Sequence, residues 1–61
     1  MTHRLLLVED DTSIRTVLRD ALQTDGHAVT VAADGDEALA LLRQQTFDLL
    51  ILDIQIGRAH V

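Results

Sequence analysis

Leu5-Leu6-Leu7-Val8-Glu9-Asp10-Asp11 is the stretch that decides the fold. Four apolar residues without alternation read as a strand buried on both faces. The run then stops abruptly at three acidic residues. The same pattern returns in Leu49-Leu50-Ile51-Leu52, which stops at Asp53. Two such strands lying parallel and adjacent bring Asp53 beside Glu9 and Asp10 at the carboxyl edge of a sheet. Open α/β sheets bind their ligands at that edge. Carboxylates crowded there repel one another unless a cation lies between them. Oxygen ligands of this type suit Mg²⁺, which takes a few carboxylates and keeps waters for a phosphate.

The sequence between the two runs supplies the connections. Residues 4–8 form the first predicted strand. Asp11, Thr12 and Ser13 are each good helix N-caps. Ile14, Val17, Leu18, Ala21 and Leu22 follow at i, i+3, i+4, i+7 and i+8, one helical stripe. Gly26 is placed to end that helix in a left-handed conformation. Residues 27–32 carry Val29 and Val31 in alternation and predict a second, more exposed strand. Asp34 with Glu37 three residues on resembles a capping box. Ala38, Leu39, Leu41 and Leu42 are the expected buried face of the second helix. Gln44-Gln45-Thr46 is a polar connector, and residues 47–53 form the third predicted strand, with Phe47 in the core.

The order is therefore β-α-β-α-β. Right-handed crossovers, with the first and third strands adjacent, give a parallel sheet of order 2-1-3. The two crossovers run in opposite directions, so the helices cover both faces. This α/β arrangement is the beginning of a flavodoxin-like sheet.

Composition narrows the function. The chain has 61 residues, a net charge of −5, five Arg, no Lys and no Cys. An acidic chain without a basic cluster is a poor nucleic-acid binder. No apolar run is long enough to span a membrane, no signal peptide is visible, and a cytoplasmic location is expected. Ordering 61 residues costs roughly 90 kcal/mol at about 1.5 per residue. Burial of about 3,500 Å² of apolar surface returns roughly 87 kcal/mol. The terms cancel, so stability is expected to be marginal.

Taken together, LLLVEDD, the stripe beginning SIRTVL, GHAVTVAADGDEALALL and DLLILD resemble the receiver domain of bacterial two-component response regulators, a CheY-like fold. GHAV and DGDEAL look most like regulators with a winged-helix DNA-binding domain after the receiver. The resemblance implies that Asp53 is the phosphoacceptor, taking a phosphoryl group from a histidine kinase. It implies a Mg²⁺ site in which Asp10, Asp53 and the backbone carbonyl of Gln55 are ligands and Glu9 acts through a water. It implies a regulatory domain rather than a classical enzyme. Met1 opening onto the first strand leads us to expect the receiver at the N-terminus of its parent. That parent would be a transcription factor that dimerises and binds DNA through a C-terminal domain, while this segment binds neither nucleic acid nor membrane.

The chain departs from the family after Asp53. The Pro-Gly loop, strands four and five, helices three to five, the Ser or Thr ending strand four and the strand-five Lys are missing. The segment alone is therefore expected to be inactive. Residues 1–54 are expected to be a partial receiver, and residues 55–61 a non-native tail. Ile56-Gly57-Arg58-Ala59-His60-Val61 followed by a stop is the third-frame translation of a common short-read sequencing adapter, and the preceding adapter bases complete a codon for Gln55. A natural frameshift or a genuine short gene is the alternative.

Plainer roles cover the other polar residues. Asp11 is expected to cap a helix. Asp34, Asp36 and Glu37 fit capping and dipole compensation. His3, His27 and His60 lack ligand spacing and are expected at the surface. Two rival functions remain. A haloacid-dehalogenase-like phosphohydrolase would need D-x-D after the first strand, where this chain has Glu9-Asp10-Asp11. A small kinase-binding decoy would need a folded chain that binds a kinase without modification of Asp53.

Overall fold

The computed structural model describes residues 2–53. Five elements follow one another: β1 (Arg4–Glu9), α1 (Thr12–Thr24), β2 (Ala28–Ala32), α2 (Gly35–Gln44) and β3 (Leu49–Asp53). The strands form one sheet of order β2-β1-β3 with both pairings parallel. This is the predicted arrangement. The tail expected from residue 55, with Gln55 and His60, lies outside the described residues.

β1 is the centre of the molecule because it has a strand on each side and a helix on each face. Leu5, Leu6, Leu7 and Val8 are all buried. Leu6 and Val8 pack with Ala32 and with Ala38 of α2, and Leu41 and Phe47 close over that cluster. Alternation along the strand turns Leu5 and Leu7 to the opposite face, where α1 lies. Phe47 is thus core, although it precedes β3 rather than belonging to it. β3 begins at Leu49, and His27 precedes β2.

The register between β1 and β3 is pinned at its start. Asp48 Oδ2 accepts from the Arg4 N–H at 2.7 Å, and the Asp48 N–H donates to the Arg4 carbonyl at 2.7 Å. From that latch the pairs run Leu5–Leu49, Leu6–Leu50, Leu7–Ile51, Val8–Leu52 and Glu9–Asp53. A slip by one residue would turn every side chain of β3 to the wrong face. The latch at one end therefore decides which carboxylates meet at the other.

Helix ends follow the sequence signals. Asp11 is the N-cap of α1, accepting from the Ile14 N–H at 3.0 Å. Gly26 follows the α1 C-cap with φ +94°, a conformation that favours glycine. Asp34 caps α2 by accepting from the Glu37 N–H at 2.9 Å. Glu37 returns the contact to the Ala33 N–H, one residue earlier than a capping box requires.

The expected buried face of α2 is corrected, and α1 is no better covered. No residue of α1 is fully buried, and Val17 is 67% exposed. On α2 only Ala38 is buried, while Leu39 and Leu42 are exposed. Both helices pack on β1 and β2 and neither on β3. A sheet of three strands is too narrow to cover the full width of either apolar stripe. The same shortage leaves Leu49, Leu50 and Leu52 of β3 exposed. An apolar edge strand of this kind is an association hazard.

Candidate functional site

The acidic edge is assembled by three elements: the end of β1, the turn into α1 and the end of β3. Glu9 is the last residue of β1 and its side chain is completely buried. Its Oε2 accepts from the Asp11 N–H at 2.8 Å. Its Oε1 is buried with no hydrogen-bond partner. A buried carboxylate oxygen without a partner is uncommon, and it indicates a missing ligand or a site of function. Asp53 is the register partner of Glu9 and is half-buried. Asp10 lies exposed in the turn, and Asp11 serves as helix cap rather than ligand.

The electrostatics of Glu9 reflect this crowding. The Asp11 N–H pulls its carboxyl downward, but burial together with Asp53 and Asp10 outweighs that pull. The net effect holds Glu9 above the ordinary carboxylate value. The folded chain therefore takes up the Glu9 proton more readily than the unfolded chain does. Stability from this group is fully present below the ordinary Glu value and is lost as pH rises through the raised one. Glu9→Gln removes the charge and offers an N–H toward Asp53. It is expected to raise the metal-free melting temperature at neutral pH. The gain should disappear in acid, where Glu9 is already protonated. Melting curves of both forms across the acidic range check this, and an unchanged or lower melting temperature at neutral pH would contradict it.

A cation resolves the same conflict differently. The donor set at this edge is all oxygen and all anionic, the chemistry of a hard divalent ion. The orphaned Glu9 Oε1 fits an ion or an ion-bound water as its partner. Among the described residues no three His, Cys, Asp or Glu side chains are drawn together into a ready-made cage. The edge is thus a buried glutamate paired in register with Asp53, with the exposed Asp10 beside it in the turn. Close by, a cleft of about 200 Å³ is lined by Val8, Asp10, Ala33, Asp34 and Gly35.

Sequence reading did not find Arg15. Its Nη1 donates to the Glu9 carbonyl at 2.9 Å, tying α1 back to the end of β1. One signal was available: α1 has no acidic residue in its first turn, whereas α2 has Asp36 and Glu37 there. His3 and His27 lie at the far end of the sheet, ring centroids 5.5 Å apart, and take no part in the site.

Known proteins match this arrangement. The response regulator receiver domain family matches residues 5–60. The transcriptional regulatory protein AfsQ1 of Streptomyces coelicolor is 50% identical over 52 residues, 85% of this chain and 23% of that protein. CpxR of Klebsiella pneumoniae, also a transcriptional regulatory protein, is 43% identical over 58 residues, 95% of this chain and 25% of that protein. The sensor histidine kinase AruS of Pseudomonas aeruginosa is 48% identical over 52 residues, 85% of this chain and 5% of that protein. The chain spans a quarter or less of the length of each of these relatives. With its β2-β1-β3 parallel sheet and the acidic edge that sheet builds, the chain belongs to the response regulator receiver domain family.

Proposed function

We propose that this chain is the phosphoacceptor portion of a response regulator and that Asp53 takes its phosphoryl group from the phosphohistidine of a sensor histidine kinase. The observation that carries this reading is the pairing of Asp53 with a buried Glu9 whose Oε1 has no partner. Asp10, Asp53 and the Gln55 backbone carbonyl would hold Mg²⁺ directly, and Glu9 would hold it through a water. When bound, Mg²⁺ neutralises charge on the phosphoryl oxygens during transfer.

The chain's own residues do the rest. An Asp53 carboxylate oxygen forms the new P–O bond as the P–N bond to the kinase imidazole breaks. The bonding electron pair stays on the imidazole nitrogen. Glu9 is held in place by the Asp11 N–H, so its free oxygen keeps one orientation. Asp11 itself is spent on capping α1 and stays out of the chemistry.

On this reading the segment is regulatory, works in the cytoplasm and is part of a longer transcription factor. That parent dimerises and binds DNA through a further domain. Support comes from relatives named as transcriptional regulators and from their greater length. A phosphohydrolase of the D-x-D type is disfavoured by Glu9 at the nucleophile position, and by its burial.

Transfer from a radiolabelled, autophosphorylated kinase to the full-length parent tests the proposal. We expect Mg²⁺-dependent labelling, and borohydride trapping followed by mass spectrometry should identify Asp53 as the modified residue. Label on another side chain, or no transfer from any kinase of the source organism, would overturn it.

A further inference from the structure

We propose that Arg15 is the positioning residue of the acidic edge, holding the Glu9 carbonyl so that the Glu9–Asp10 peptide keeps one orientation. This inference rests on the divalent-cation reading above and extends it to a residue outside the ligand set.

Three observations lead to Arg15. Its guanidinium reaches back six residues, past the start of its own helix, to the Glu9 carbonyl at 2.9 Å. Among the described residues it is the only basic side chain that hydrogen-bonds at this edge. Arg4 bonds Gln45, and Arg19 bonds Asp20. Its electrostatic setting is mixed: as the fourth residue of α1 it meets the positive end of the helix dipole, while the Asp11 cap and the acidic residues of the adjoining turn attract it. The hydrogen bond to the Glu9 carbonyl, and not charge alone, fixes where the guanidinium sits.

The contact also sits where it can control geometry. Glu9 ends β1, and Asp10 begins the turn into α1. The Glu9 side chain is tied on one side by the Asp11 N–H at 2.8 Å. The Arg15 N–H donates to the Asp11 carbonyl at 2.9 Å, closing the first helical hydrogen bond. Arg15 thus fixes the same short turn from its backbone and from its side chain. Only Asp10 in that turn has a carboxylate free to follow the peptide's orientation. A loosened Glu9 carbonyl would let Asp10 point in several directions and raise the cost of gathering the ion's ligands.

Charge and position make opposite predictions here. As a mere positive charge, Arg15 repels a cation, and its removal would tighten Mg²⁺ binding. As a positioning group, its removal weakens binding. The full-length parent is titrated with Mg²⁺ alone by calorimetry, as wild type, Arg15→Gln and Arg15→Lys. Amide hydrogen exchange at Asp10 and Asp11 is followed without metal. We expect Arg15→Gln to weaken Mg²⁺ binding about tenfold, the low end for a charged hydrogen bond, and to speed exchange at both amides. Arg15→Lys keeps the charge but loses the planar fork, and should fall between the two. If Arg15→Gln does not fold, Arg15→Lys decides, and affinity equal to wild type overturns the proposal. Unchanged or tighter binding by Arg15→Gln also overturns it, while leaving the ion site intact. A wild-type parent that binds no Mg²⁺ overturns the cation reading itself and this proposal with it.

Discussion

Asp53→Asn is expected to lower phosphoryl transfer by about a thousandfold or more, the scale on which removing a nucleophile acts. The amide has nearly the same shape as the carboxylate, so packing at the end of β3 should survive. What it lacks is the anionic oxygen that attacks phosphorus. The substitution also removes one of the charges that push Glu9 above its ordinary value. The variant should therefore fold at least as well as wild type while failing to accept label. This combination separates loss of chemistry from loss of structure. Labelling at the wild-type rate would mean that another carboxylate of this edge, such as Asp10, is the acceptor.

Leu6→Ala has the second largest expected effect. Leu6 is 0% exposed in the central strand and packs with Val8, Ala32 and Ala38. Truncating such a leucine costs about 2–5 kcal/mol. Domains hold roughly 0.05–0.15 kcal/mol per residue, so a chain of this size has at most a few kcal/mol more than that to lose. We expect Leu6→Ala in the full-length parent to unfold at a markedly lower urea concentration than wild type. Leu6→Met conserves volume and should cost under about 1.5 kcal/mol. If both variants unfold at the same urea concentration, β1 is not the centre of the core.

The sequence made the architecture legible because its strongest signals are local. Unbroken apolar runs marked β1 and β3, a single stripe marked α1, and Asp11, Gly26 and Asp34 marked the helix ends. The adjacency of Glu9 and Asp53 was also legible, since two acidic strand ends in a 2-1-3 sheet can only meet at one edge. Burial of the helices was not. A stripe such as Ile14, Val17 and Leu18 records what a helix face can bury, and not how much surface stands opposite to cover it. The orphaned Glu9 oxygen and the Arg15 contact were hidden for another reason. Both depend on side-chain direction within a turn of two residues, which spacing alone leaves undetermined.

The latch between Arg4 and Asp48 gives the site a place in time. Its partners are 44 residues apart, so it closes the longest loop in the described fold, and such closures come late because their entropy is lost before contacts compensate it. β1 and β2 can associate with α1 while the chain is still emerging. Glu9 meets Asp53 only after synthesis has passed β3. A nascent chain therefore exposes its acidic turn first and gains Asp53 last, and on the proposed phosphoacceptor reading every product interrupted before Asp53 would be silent in phosphotransfer.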